Sequence, residues 1–267
     1  MANIPEVKLA PDVIAQIGPF AVTNAHMATF LVTIVIIILA LFIRRGAGIK
    51  PSKAQVAFEL IRNFIYDKMI LSFGSEKATK RYLPLMLTIF IFLLIANQFS
   101  LIPFVESIVT KDGIALFRTP TSHYSLPIAL TLGVIFLAHF MALAIHPIRH
   151  IGNFIKIGPL FKMKSIKELP MLLLDIFLGV LDIVGEFAKI VSLSTRLFGN
   201  VLAGGVIIAI ISGITAYTQF IAPIPFLILS TLSGLVQAFV FTMLSIIFIS
   251  SAVNGVQPQT TQPSQSN

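Results

Sequence analysis

Long apolar runs separated by short basic segments organise the chain. The stretch HMATFLVTIVIIILALFI carries no charge and stops at Arg44-Arg45. About 20 largely apolar residues cross a bilayer as a helix, so residues 25–43 read as a first span. A second covers 83–103, with no charge between Arg81 and Glu106, and a third covers 125–146, bracketed by Arg118 and Arg149. The run 169–217 is more than twice as long as an upright helix needs. It is expected to be bent, strongly tilted or broken in two. TQFIAPIPF, with Pro223 and Pro225, reads as a turn before a last span over 226–251. The polar, low-complexity tail 255–267 is expected to be disordered.

Residues 52–73 follow another pattern. Val56, Ala57, Leu60, Ile61, Phe64 and Ile65 recur at helical spacing, and Glu59, Arg62, Asn63 and Asp67 fall on the opposite side. Ser52 with Gln55 forms a capping box that marks the start. This reads as a helix lying along the membrane surface. The expected fold is an all-α integral membrane protein, a single membrane domain over 1–254. It has about five crossing helices and one interfacial amphipathic helix, and its two long tilted C-terminal helices form a hairpin.

Composition agrees. Hydrophobic residues make up 56% and charged residues 11%, against roughly a quarter charged in soluble domains. The net charge of +8 raises nucleic acid as a partner, but its distribution excludes that reading. Nine Lys/Arg lie between Arg44 and Arg81 and five between Arg149 and Lys167, all flanking spans. The positive-inside rule puts both segments in the cytoplasm, the N-terminus outside and the C-terminus inside. Residues 1–25 lack a basic segment followed by an apolar core, so no cleavable signal is expected. With no cysteine there is no disulfide framework or thiolate site, and no cofactor or metal is expected.

Polar residues inside a membrane segment are functional candidates. Asp182, Glu186, Lys189, Arg196, Asn200 and Ala203 are spaced 4, 3, 7, 4 and 3 apart, which is one helical stripe. Asp175 extends it. Glu186 and Lys189 can pair at i, i+3, and a simple ion-pair ladder explains those two equally well. Arg196 is different. It has no acidic residue within a turn, and a guanidinium does not deprotonate in a protein, so it needs a partner from elsewhere or water. No Asp, Glu, Lys or Arg follows it. In the last span Ser230, Ser233 and Gln237 share a face, with Gln237 able to face Arg196 across the turn. Gly199, Ala203, Gly204 and Gly205 leave one side of the Arg196 helix nearly bare, for close packing or a sliding neighbour.

SLSTRLFGNVLAGG resembles the signature of F-type ATP synthase subunit a, bacterial type. GLVQAF resembles that family's last helix, NQFSLIP the end of the helix before its outer loop, and KLAPDVIAQIGPFAVTNAHMATFLV its bacterial N-terminus. The resemblance covers essentially the whole chain. It implies a non-catalytic stator subunit of a rotary, proton-translocating ATPase in the bacterial plasma membrane. The implied partners are a c-ring, the peripheral stalk of subunit b and the rest of the synthase, within the lipid bilayer. Two offset half-channels would carry protons to and from the ring. The resemblance carries over Arg196 as the essential arginine, Asn200 as its helical neighbour and Gln237 as the residue opposite. It also carries over Asn97 to the outer half-channel and Asp182 to the inner one.

The chain also departs from the family. A Glu/His pair common in the outer half-channel is replaced by Gly205 and Ser230, and an Asp and an Asn after the outer loop by His123 and Ser125. His139 is therefore expected to take over part of the outer relay, with Ser230 and Gly205 alternatively lining a water wire. Glu186, Ser230 and Ser233 complete the half-channel candidates. His146 and His150 read as interfacial, and Glu106 and Asp112 as solvated loop residues. An anion transporter using Arg196 is the competing function, and a membrane scaffold a further one. The absence of internal repeats speaks against the transporter.

Overall fold

The computed structural model describes residues 12–45 apart from position 19, then 52–99, 102, 108–109, 115–145, 147, 169–214 and 221–254. Asp175 lies within a described helix, but its side chain is not described. Glu106, Asp112, His146, His150 and the tail 255–267 fall outside the described residues.

Among the described residues, six α-helices follow a small β-hairpin. Strand β1 (Val13–Ile17) pairs antiparallel with β2 (Phe20–Thr23). Gly18, at φ 61°, supplies the left-handed turn that glycine adopts without strain. The chain enters α1 (Asn24–Arg45) directly. The Asn24 amide donates to the Asp12 carbonyl at 3.1 Å, and its side chain donates to the Ala115 carbonyl at 3.4 Å. Those bonds tie the hairpin to the segment before α4.

Helix α2 (Lys53–Phe73) begins at the expected cap. Ser52 Oγ accepts from the Gln55 amide at 3.2 Å. The reciprocal half of the capping box is replaced, because the Gln55 side chain donates to Glu59 instead. Gly74 ends the helix at φ 64°, its amide returning to the Ile70 carbonyl, the usual glycine stop. Ile65, Met69 and Phe73 are buried, whereas Val56, Leu60, Phe64 and Leu71 are exposed. The apolar face is thus divided between the bundle and whatever lies outside it.

Helix α3 (Glu76–Gln98) starts about two turns before the expected 83 and ends short of 103. It runs through Pro84, which removes only one amide bond, and its first turn is supported by a Glu76–Lys80 pair at 2.6 Å. A short 3-10 turn, Pro120–Ser122, leads into α4 (Ser125–Ile145). Helix α5 (Leu169–Ile214) is one unbroken helix of 46 residues, about 69 Å long. The broken alternative is therefore excluded. The hydrocarbon core is only about 30 Å thick, so a steep incline is what remains. Helix α6 (Ile224–Asn254) completes the fold.

By length and hydropathy α1, α3, α4 and α6 can each cross a membrane. Counting α5 as a fifth crossing rests on its length. Helix α6 is central, packing against α2, α3, α4 and α5, while α1 leans on α3. Its Phe241, Ile246 and Ile249 meet Met86 and Leu93 of α3, Val134 and Ala138 of α4 and Leu193 and Leu197 of α5 in one core. The antiparallel order gives the bundle two ends. One carries the β-hairpin, the end of α3 and the starts of α4 and α6. The other carries α2.

Candidate functional site

The stripe foreseen on α5 lies along the edge of its buried face. Leu193, Ser194, Leu197 and Val201 are buried, Asp182, Glu186, Lys189 and Asn200 are half-buried, and Arg196 is exposed. Arg196 forms no ion pair with a carboxylate of this chain among the described residues. A guanidinium within a membrane segment is a functional candidate.

Helix α6 runs antiparallel to this stripe in a definite register. Ser233 Oγ donates to Asn200 Oδ1, and Ser230 Oγ sits 2.7 Å from where a Cβ on Gly204 would stand. One turn further along both helices, the same register sets Arg196 level with Gln237. Gln237 is only 5% exposed, and its Nε2 has no hydrogen-bond partner among the described residues. A buried amide donor left open beside a cation is a polar site awaiting water or a ligand oxygen.

Beyond Arg196, toward the β-hairpin end, a cavity of about 150 Å³ opens between α5 and α6. Asn200, Ala203, Gly204, Ser230 and Ser233 line it with Ile207, Phe226 and Leu229. It is roomy enough for several waters, and its hydroxyls and amide can bind them. Gly204 and Ser230 belong to it, but Gly205 does not. A Cβ added at Gly205 meets nothing within 4 Å, so that position faces outward. Asn97 also stands outside the lining. It is 3% exposed, and its Nδ2 donates to the Gly234 carbonyl at 3.2 Å. Gln98 donates to the Thr231 carbonyl at 3.0 Å. These two amides clamp α3 onto α6 just behind Ser230 and Ser233. Nothing in the sequence pattern singled out Gln98 or the close approach at Gly234. The only signal is the Asn-Gln pair ending an apolar run.

His139 is expected to take part in the outer relay, and the structure sets it against Glu186 of α5. Its Nε2 lies 3.5 Å from Glu186 Oε2, while Glu186 Oε1 accepts from Lys189 at 2.5 Å. Lys189 in turn lies 5.2 Å above the Phe248 ring. Tyr124, just before α4, touches Thr195 and Phe198. Helix α4 therefore begins at the level of Arg196, and His139 lies about 20 Å further toward the α2 end. Asp182, one turn beyond Glu186, belongs to that end too.

His123 and Ser125 form a local cap. Ser125 Oγ stands 2.7 Å from His123 Nδ1, and the Ser125 amide donates to the same nitrogen at 3.4 Å. Burial holds the His123 imidazole below its ordinary range, with Arg118 and His26 adding to the effect.

A family model described as "ATP synthase A chain" matches residues 26–250. Among curated relatives, ATP synthase subunit a 2 of a Bradyrhizobium sp. (strain BTAi1) is 29% identical over 93% of this chain and 96% of its own length. ATP synthase subunit a of a Hydrogenobaculum sp. (strain Y04AAS1) is 30% identical over 85% of this chain and 97% of its own. That of Desulfotalea psychrophila is 31% identical over 84% and 82%.

Proposed function

This chain belongs to the ATP synthase A chain family, and from that premise we propose that it is the proton-translocating stator of a rotary ATP synthase, with Arg196 gating the carboxylates of a turning c-ring. The observation that carries this reading is the exposure of Arg196 on α5, with no acidic partner of its own chain among the described residues. A ring carboxylate must be neutral where it faces lipid, because a buried charge is costly. Beside Arg196 the charged form is favoured and the proton leaves. Arginine suits the task because it keeps its charge, whereas a desolvated lysine can lose its proton. The same fixed charge repels a hydrated proton, so the two half-channels do not short-circuit. Protons then cross only with rotation.

Asn200 and Gln237 flank the gate. The open Nε2 of Gln237 is available to a ring carboxylate oxygen or to water. On this reading the cavity at Asn200, Ser230 and Ser233 belongs to the outer half-channel, with Asn97 holding its back wall. Asp182 and Glu186 belong to the inner one. The β-hairpin end faces outside and the α2 end faces the cytoplasm, which is supported by the nine Lys/Arg between Arg44 and Arg81. The exposed apolar residues of α2 lie against the cytoplasmic interface. The c-ring, subunit b and the remaining synthase subunits of a bacterial plasma membrane are its partners, and ATP chemistry resides in those others.

Arg196→Ala tests the reading. Inverted membrane vesicles bearing the whole complex should lose ATP-driven proton uptake, and the variant membranes should lose ATP synthesis. Retained coupled synthesis would overturn the stator assignment.

A further inference from the structure

The cluster at the α2 end joins three helices and has a composition unlike the rest of the site. Glu186 of α5 bridges two bases, Lys189 one turn along and His139 of α4 across the helix contact. Lys189 is fixed from its other side by Phe248 of α6. We infer that His139 is a proton-carrying residue of the cytoplasmic half-channel, with Glu186 holding its imidazolium and Lys189 fixing Glu186. The inference rests on the stator reading above and names a carrier within it.

The three groups have unequal abilities. Lys189 lies between the Glu186 carboxylate and the Phe248 ring face, a site that holds its side chain in place. Glu186 meets Lys189 through one oxygen and faces His139 through the other. Imidazole is the side chain that both takes and gives a proton near neutral pH. His139 is 34% exposed by side chain, so it is not sealed within the helix contacts. It stands six residues from the last residue of α4, about 9 Å from the cytoplasmic end. A proton from that side binds Nε2, and the Glu186 carboxylate stabilises the cation formed. The same proton then leaves to water on the Arg196 side, with no net change in the residue.

Among the described residues, the surroundings favour His139 for this role. It is the sole titratable residue of α4, and α6 has none that ionises near neutrality. On α5 the facing charges are Asp182, Glu186 and Lys189. From α3, Tyr82 reaches the neighbourhood, but its hydroxyl points to Met141 Sδ at 3.4 Å. A purely structural His–Glu clamp would need only a polar side chain of similar size, and glutamine supplies one.

The test is ATP-driven proton uptake by inverted vesicles carrying the complete synthase, where the bath sets the pH at the α2 end. The rate is divided by ATP hydrolysis of the detergent-released catalytic head at each pH. The wild-type ratio should show an inflection with bath pH, as expected of a carrier that both takes and gives a proton. His139→Gln should lose that inflection and pump roughly tenfold slower or worse, since a positioned acid–base group contributes about 10²–10⁴-fold. Glu186→Gln, with His139 in place, should move the inflection. Wild-type rate and profile in His139→Gln would reduce the imidazole to a clamp and overturn the inference. If His139→Gln fails to enter the membrane, an unmoved inflection in Glu186→Gln overturns it. Coupling that survives Arg196→Ala sinks the stator reading instead, so the two failures are distinguishable.

Discussion

The two halves of the α5 stripe, on either side of Arg196, are built differently. Toward the α2 end the polar groups are ionisable: Glu186 joins Lys189 and His139, and Asp182 stands one turn beyond. Toward the β-hairpin end they are neutral and stand around open space: Asn200, Ser230 and Ser233 around a cavity of about 150 Å³. A path with room for water needs no titrating side chain, because a chain of hydrogen-bonded waters can relay the proton. A path through packed side chains needs groups that bind and release it. On the proposed stator reading, the contrast is how this chain would do without the Glu/His pair at Gly205 and Ser230, with space standing in for a titrating group.

The largest way to break the contrast is to close the space from behind. A Cβ at Gly234 would stand 3.2 Å from Gln98 Nε2 and 3.3 Å from Asn97 Cβ. Gly234→Leu should force α3 off α6, at a cost of about 1–3 kcal/mol or more. The subunit should then fall sharply in immunoblots of assembled membranes. Filling the cavity comes next. Ser230→Leu should slow proton pumping about tenfold without moving its pH profile, whereas Ser230→Ala should pump nearly as the wild type does. Equal rates in both would show that the space is not used.

A gentler change sharpens the comparison. Gly205 faces open space, so Gly205→Glu should assemble normally. The position lies off the cavity lining, so the pH profile, read by varying the internal pH of inverted vesicles, should stay that of the wild type. The smallest measurable effect belongs to His123, which sits outside the stripe. Its imidazole is held below the ordinary range, so the fold favours the neutral form more than the unfolded chain does. Its contribution to stability is whole above about pH 6.5 and is lost as the pH falls through the lowered value. The Tm of the purified complex should drop on acidification, and by less in His123→Gln.

Much of this was legible in the sequence. Apolar runs located five of the α-helices among the described residues and amphipathic spacing located α2, while the 3.6-residue spacing from Asp182 to Ala203 put the stripe on one face of α5. Periodicity speaks of one helix at a time, and that is why other features stayed hidden. The partner of His139 is set by the contact of α4 with α5, so its distance in sequence from Gly205 and Ser230 carried no information about its side. The Asn97–Gly234 clamp depends on how closely α3 approaches α6, which a glycine in an apolar run does not announce. The hairpin at Val13–Thr23 was missed because its strands are too short to show a period beside the long run that follows.

The central claim is that Arg196 is held for a partner's carboxylate, and its place in the assembled complex tests it most directly. A structure of the whole membrane sector should show the guanidinium facing the ring, within about 4–6 Å of the nearest ring carboxylate, with Gln237 at the same level. An Arg196 turned to lipid headgroups, or paired with an acidic residue of its own chain, would contradict the account.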